Sequence, residues 1–74
     1  MRRLFFASTV YRVLEAEIEG IPRYGLCAMR GGEAANIPDI TSKREDLLAL
    51  LAQLERADVP PLALRDVVED WLER

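Results

Sequence analysis

Polar and apolar residues alternate strictly over residues 14–19, where a leucine, an alanine and an isoleucine are interleaved with three glutamates. A period of two residues is typical of a half-buried β-strand, with the three apolar side chains on one face and the glutamates on the other. A helix is the competing interpretation, because glutamate and alanine are good helix formers. A turn signal that begins at Gly20 favours the strand. We predict this strand over about residues 4–19.

Two further strands follow this turn and complete an antiparallel meander. The β-rich segment 23–30 leads into a Gly-Gly pair at residues 31–32, which is a strong signal for a two-residue hairpin. Residues 33–37 return as a short third strand, which Pro38 is expected to close. Gly25 lies inside the second strand and predicts a bulge or a close approach of two backbones.

The second half of the chain carries leucines at helical spacing. Ser42 and Glu45 match a capping box, in which the serine accepts from a backbone amide and the glutamate reaches back to the cap. The stripe that follows has the spacing i, i+3, i+4, i+7: Leu47, Leu50, Leu51 and Leu54. We predict a helix over residues of about 42–57, which the prolines at 60–61 cannot continue. Asp39 is expected to cap backbone amides through an Asx-turn before this helix.

A second amphipathic helix is predicted over residues of about 61–73. Pro61 suits its first turn. Its apolar face repeats at i, i+3, i+4, i+7 and i+8: Leu64, Val67, Val68, Trp71 and Leu72. The predicted fold is therefore α+β in the order β-β-β-α-α, with a three-stranded meander followed by two helices packed on one face. Residues 1–74 are predicted to form a single small domain.

Composition excludes several kinds of chemistry. The 74 residues include no histidine and a single cysteine, Cys27. This rules out a disulfide framework and every mechanism that depends on histidine, and it disfavours a zinc site. We therefore expect no enzymatic activity, no cofactor and no metal, and we expect Cys27 to be a buried, unreactive thiol. A core this small supplies little stability, which predicts a homodimer.

Charge is distributed unevenly along the chain, whose net charge is −3. Residues 1–32 hold five arginines and three glutamates, whereas residues 33–74 hold five basic and ten acidic residues. An acidic chain is repelled by phosphate backbones, so we expect nucleic acid not to be the partner. The alternative is that arginines of the meander share a face and bind nucleic acid or an anionic ligand. These are Arg2, Arg3, Arg12, Arg23 and Arg30.

The last helix carries the candidate partner-binding face. Four carboxylates lie on its outward side: Asp66, Glu69, Asp70 and Glu73. Paired carboxylates can act as acid and base or hold a hard cation, but a lone convex helix offers no pocket for either. We expect a solvated helix face or a docking surface for a basic protein partner. Trp71, beside them, is expected in the core or at the edge of an interface.

The first residues imitate the start of a secretory leader, with two arginines before the apolar segment 4–7. Polar residues at 8–9 and Arg12 interrupt the apolar run, and it is far shorter than the ~20 residues that span a bilayer. We interpret this segment as part of the first strand. The protein is expected to be cytoplasmic and not to contact a membrane.

Read from end to end, the chain resembles a family of short uncharacterised proteins, a domain of unknown function found mainly in Gram-positive anaerobic bacteria. The segments that carry the resemblance are 11–18 (YRVLEAEI), 24–26 (YGL), 37–41 (IPDIT) and 64–72 (LRDVVEDWL). The chain departs from the family at Pro60, where a serine or a similar cap is expected. The resemblance implies a small cytoplasmic domain and assigns no activity, catalytic residue or cofactor.

Overall fold

A computed structural model describes residues 8–73 and shows the α+β architecture that the sequence predicts. The elements are β1 (Val10–Ile18), β2 (Ile21–Arg30), β3 (Glu33–Thr41), α1 (Arg44–Ala57) and α2 (Pro61–Leu72). The three strands form one antiparallel sheet in the order β1-β2-β3. Both β1 and β3 are therefore edge strands.

The first strand is shorter than the prediction of residues 4–19. Its predicted start at residues 4–7 lies outside the described part of the chain, and residues 8–9 are not in a strand. Val10 is the first residue of β1 and pairs with Met29 near the end of β2. Just before it, the backbone N–H of Thr9 donates to Asp58 Oδ1 at 2.9 Å, so the chain here bonds to the helical layer instead of the sheet.

Both hairpin turns have two residues, and the first of them corrects the predicted start of β2. Glu19 and Gly20 have φ angles of 55° and 80°. Positive φ at both central residues matches the right-handed twist of the strands, so β2 begins at Ile21, two residues earlier than predicted. Pro22 is tolerated because β3 does not extend this far and leaves that side of β2 unpaired. The predicted Gly-Gly turn is confirmed, with φ 58° at Gly31.

The third strand does not end at Pro38, and the predicted range of 33–37 is wrong. β3 runs on to Thr41, because its register with β2 shifts around Gly25 and an edge strand can accommodate a proline at such an irregularity. A Cβ atom on Gly25 would overlap with the backbone carbonyls of Ile37 and Pro38. The predicted close backbone approach at Gly25 is thus confirmed.

The capping box predicted from Ser42 and Glu45 is not formed. The helix begins at Arg44 instead of residue 42, and its N-cap residue, Lys43, makes no side-chain cap. The strand continues through Thr41, whose Oγ1 accepts a hydrogen bond from the backbone N–H of Lys43 at 3.1 Å. This bond closes a turn just before the helix and does not cap the amides of its first turn.

A short linker joins the two helices. Asp58 ends α1 in the left-handed conformation, with φ 50° and ψ 51°. Pro61 opens α2, as the sequence predicts, since a first-turn position needs no N–H donor. Pro60 precedes it without a side-chain cap, and α2 ends at Leu72, one residue before the predicted end.

The core lies between the two helices and one face of the sheet. Its buried apolar side chains come from strands β2 and β3, from both helices and from the linker: Leu26, Ala28, Ile40, Leu47, Leu50, Leu54, Val59, Leu64 and Val68. Trp71 is half-buried and packs against this cluster. The prediction that both helices pack on one face of the meander is confirmed.

Within residues 8–73, neither helix is long and apolar enough to cross a lipid bilayer.

Candidate functional site

One face of the sheet has no helix over it in the part of the chain that the structure describes. Leu26 and Ala28 are fully buried under the helices, so their neighbours in β2 project from the other side. The strand register assigns twelve residues to this side, which we call the open face. They are Val10, Arg12, Leu14, Ala16 and Ile18 of β1, Ile21, Arg23, Gly25, Cys27 and Met29 of β2, and Ala34 and Asn36 of β3.

Large apolar side chains are exposed at both ends of the open face. Val10 is 61% and Met29 49% exposed at one end. Ile18 is 49% and Ile21 53% exposed at the other, beside the first hairpin turn. Of the seven large apolar side chains that are exposed among residues 8–73, four therefore lie on this one surface.

A shallow hollow of about 130 Å³ lies at one end of the open face, lined by Val10, Arg12, Cys27 and Met29. Cys27 is half-buried there, so the expectation of a buried thiol is wrong. The reason is the alternation of the strand: the apolar neighbours of Cys27 point into the core, which directs its own side chain to the opposite face.

The alternation in β1 suggested that Leu14, Ala16 and Ile18 form the buried side of the strand. In the structure these three residues lie on the open face, and only Leu14 is partly buried. The helices instead cover the side that carries Tyr11 and Val13, both of which pack against the core. The glutamates of β1 lie on the same side as Tyr11, at the end of the strand that extends beyond the helices.

Asp39 does not serve as the predicted Asx cap. Its Oδ1 accepts a hydrogen bond from Nε of Arg23, and the two residues form an ion pair. The side chain of Asp39 is 49% exposed and that of Arg23 is 29% exposed. Because Arg23 belongs to the open face, this pair places one carboxylate there and neutralises one of its two arginines.

The three arginines of the meander that the structure describes are divided between the two faces of the sheet. Arg12 is on the open face and makes no ion pair with any residue from 8 to 73. Arg30 is on the opposite, helix-covered side, where its guanidinium lies 3.9 Å from Asp58 Oδ2. Arg2 and Arg3 lie outside the described residues.

The acidic residues predicted as a docking face lie on the surface of α2. Four of them are exposed: Asp66, Glu69, Asp70 and Glu73. Trp71 differs from them, since it is half-buried against the core. No three acidic or cysteine side chains within residues 8–73 are arranged to hold a metal ion. The docking role of this helix face stays a prediction.

Tyr11 secures the first strand against the helical layer. Its hydroxyl donates to the carbonyl oxygen of Val59 at 2.7 Å and lies 3.0 Å from that of Leu54. Burial raises the pKa of Tyr11 above its ordinary value, and the carboxylates of Asp58 and Glu55 add to the shift. This contact holds one face of β1 against the helices and leaves the next residue, Arg12, on the open face.

Comparison with known proteins identifies the family. The model of a family of unknown function, DUF6514, matches residues 6–74. The chain belongs to this family. No curated protein and no solved structure matches it. The family assignment names no activity, so the function of this DUF6514 member has to be argued from its surface.

Sequence reasoning missed the open face of this DUF6514 chain as a surface. One signal was available: Ile18 and Ile21 flank the tight turn at residues 19–20 and must project on the same side of the hairpin. Apolar residues beside a hairpin turn are not buried by their own hairpin. That pattern does not indicate which side of the sheet the helices leave uncovered.

Proposed function

We propose that this DUF6514 member is a small cytoplasmic bacterial interaction module that acts by binding another protein through its open face. The observation that carries the proposal is two pairs of large apolar side chains, 49–61% exposed, at the two ends of a sheet face that no helix among residues 8–73 covers. Exposed apolar patches bordered by polar residues are typical of protein interaction sites. Arg12 and Arg23 lie between the two apolar pairs of the open face and can supply the specificity of such an interface.

Binding is better supported than catalysis. The chain has no histidine, and its carboxylates on α2 project from a convex surface. The hollow beside Arg12 holds about 130 Å³, which is small compared with the roughly 300–1,000 Å³ of typical ligand pockets. It fits a single apolar side chain of a partner better than a substrate.

The test compares two surfaces of the same chain. One variant changes the open face (Val10→Ser with Met29→Ser), and the other changes the acidic face of α2 (Asp66→Ser with Glu69→Ser). Each tagged full-length chain is used to capture proteins from a lysate of the source bacterium, with and without nuclease, and both are checked by circular dichroism. We expect the open-face variant to lose a protein that the wild-type chain and the α2 variant both retain.

Two results would contradict this proposal. If only the α2 variant loses the captured protein, the acidic helix face is the binding surface. If capture by the wild-type chain disappears after nuclease treatment, the nucleic-acid alternative gains support. Among residues 8–73, that alternative relies on Arg12, because Arg23 and Arg30 are paired with Asp39 and Asp58. It predicts binding to short nucleic-acid probes at low salt that falls steeply as salt is added.

A further inference from the structure

We propose that the free edge of β1 binds an extended segment of a partner protein that carries basic side chains at alternate positions. The segment adds a fourth strand to the sheet, antiparallel to β1. This inference goes beyond the proposed function, because it concerns the backbone edge of β1 and not the side chains of the open face.

The outer edge of β1 presents unpaired backbone groups. Among residues 8–73, β1 pairs with β2 alone. The tight first turn closes with the pair Ile18 and Ile21, which exchange both of their hydrogen bonds in a two-residue hairpin. Bonding to β2 then alternates along the strand, so Glu17 and Glu15 direct their N–H and C=O groups away from β2. Such an edge is a template for another extended chain.

The other edges of the sheet are blocked in the part of the chain that the structure describes. β3 carries Pro38 within its register irregularity, and both a proline and a bulge hinder pairing at an edge. Beyond the end of β3 the outer side of β2 is unpaired, but Pro22 has no N–H to offer there. β1 contains neither a proline nor a bulge. It is therefore the edge to which a strand can be added.

The end of the first hairpin gains most from an added strand. β3 reaches along β2 only as far as Tyr24, so residues 16–18 and 21–23 form a ribbon of two strands. The three residues of β1 in this ribbon are all exposed. Two strands without a third strand or a helix are only marginally stable in water. A strand beside β1 supplies the missing partner.

Charge indicates what kind of segment fits this edge. Glu15 and Glu17 lie on one side of β1, opposite Tyr24 and Pro22 of β2, and both are exposed. Neither glutamate makes an ion pair within residues 8–73. Residues directly opposite them in an added strand project to the same side of the sheet. Lysine or arginine at these two positions, two residues apart, therefore neutralises both carboxylates.

The residue between the two basic side chains faces the other side of the sheet. There it lies beside Ala16, and its diagonal neighbours on β1 are Leu14 and Ile18. Ile18 is 49% exposed, so an apolar side chain in the segment covers part of it. The edge thus selects the pattern basic, apolar, basic.

The same charges disfavour a second copy of this chain as the occupant. Antiparallel pairing of two β1 strands about a two-fold axis puts Glu15 and Glu17 of both copies on one side of the joined sheet. Four carboxylates that make no ion pair of their own then lie close together. Like charges across a strand pair destabilise it. A basic segment of a different protein meets no such repulsion.

The first experiment measures amide hydrogen exchange of the full chain by NMR, with and without a peptide. The peptide is Thr-Val-Lys-Val-Lys-Val-Thr with blocked ends, which has the selected pattern, and it is added up to millimolar concentration. We expect it to slow the exchange of the Glu15 and Glu17 amides at least about tenfold, because these N–H groups become bonded. The amide of Ala16 is directed toward β2 and should change little.

Two control peptides separate the contribution of the backbone from that of charge. Methylation of both lysine amide nitrogens keeps the charges but removes the N–H donors that face β1. Replacement of both lysines by glutamate keeps the donors but reverses the charge. Neither control should protect the two glutamate amides. Equal protection by the methylated peptide would overturn strand addition, and equal protection by the glutamate peptide would overturn the preference for basic segments.

Matched variants of the chain test the two carboxylates. Glu15→Gln with Glu17→Gln keeps the shape of both side chains and should weaken binding of the lysine peptide at least about fivefold. Asp66→Asn with Glu69→Asn makes the same change of net charge on α2 and should leave binding unchanged. Equal weakening in the two variants would mean that the peptide responds only to net charge, which would overturn the site at β1.

The remaining outcomes separate this inference from the proposed function. Unchanged exchange of the Glu15 and Glu17 amides at millimolar peptide overturns the inference and does not affect the proposed function. Protection of both amides in the free chain, together with a sedimentation mass above the single-chain 8.4 kDa, would make a second copy the occupant and also overturn it. The open-face variant, Val10→Ser with Met29→Ser, should still bind the peptide, so its loss of a captured protein tests the proposed function alone.

Discussion

The hydroxyl oxygen of Tyr11 lies 2.7 Å from the carbonyl oxygen of Val59, and this hydrogen bond joins the first strand to the linker between the helices. The two residues are 48 positions apart in the chain. Because successive residues of a strand alternate in direction, a bond that holds Tyr11 against the helices directs Arg12 to the open face. The bond therefore helps to decide which surface of the protein is free to bind.

Removing the hydroxyl of Tyr11 should destabilise the fold. Tyr11→Phe leaves the carbonyl of Val59 without this donor, and we expect a loss of about 1 kcal/mol in the free energy of unfolding. Urea denaturation followed by the fluorescence of Trp71 measures the loss. Tyr24→Phe is the control, since the hydroxyl of Tyr24 makes no hydrogen bond within residues 8–73. Equal losses in the two variants would contradict the role given to Tyr11.

Ionisation of Tyr11 should lower the free energy of unfolding at alkaline pH. Burial raises the pKa of Tyr11 in the folded state above the ordinary value of 10.0. Its stabilising contribution is thus fully present below pH 10 and is lost as the pH rises through the folded-state pKa. We expect the stability difference between wild type and Tyr11→Phe to shrink above that pH, in denaturation curves measured at steps of pH. A difference that stays constant would show that the phenol does not titrate as expected.

Gly25 should not tolerate any side chain. In Gly25→Ala the new Cβ would overlap with the backbone of Ile37 and Pro38, so the strands must separate locally. We expect a loss of about 1–3 kcal/mol, as for other overpacked sites. Gly32→Ala is the control, because a Cβ there has no atom within 4 Å. Thermal unfolding by circular dichroism compares the two, and a Gly25→Ala chain as stable as the control would contradict the close approach.

The buried leucines of α1 should dominate stability. Leu54 is fully buried in the core, and Leu54→Ala is expected to cost about 2–5 kcal/mol through lost burial and a cavity. Leu62 is 78% exposed, so Leu62→Ala should change stability by less than about 0.5 kcal/mol. Denaturant titrations of both variants test this contrast. Similar losses would mean that Leu62 is covered in solution and that an interface involves α2.

Local sequence signals were sufficient for the element order. The Gly-Gly pair at 31–32, the helical spacing of the leucines and Pro61 at the start of α2 each act over a few residues, and the structure has a turn or a helix at each. Gly25 likewise predicted the close backbone approach, because only a residue without a Cβ fits at that position. The element order and the fold class follow from these neighbours alone.

Long-range packing decided what the local signals left open. Pro38 reads as the end of a strand, but β3 passes through it because its register with β2 shifts there. Ser42 and Glu45 match a capping box, but the strand before them continues to Thr41 and α1 begins only at Arg44, so the box does not form. Each of these outcomes depends on a partner or neighbouring element that the short motif does not contain.

The open face is the clearest case. Alternation with a period of two divides β1 into two sides, but apolar residues occur on both: Tyr11 and Val13 on one, Val10 and Leu14 on the other. The side that becomes covered is chosen by contacts with α1 and the linker, more than 40 positions away. A pattern within one strand cannot specify a contact of that range, because burial depends on which surface the helices reach when the chain folds.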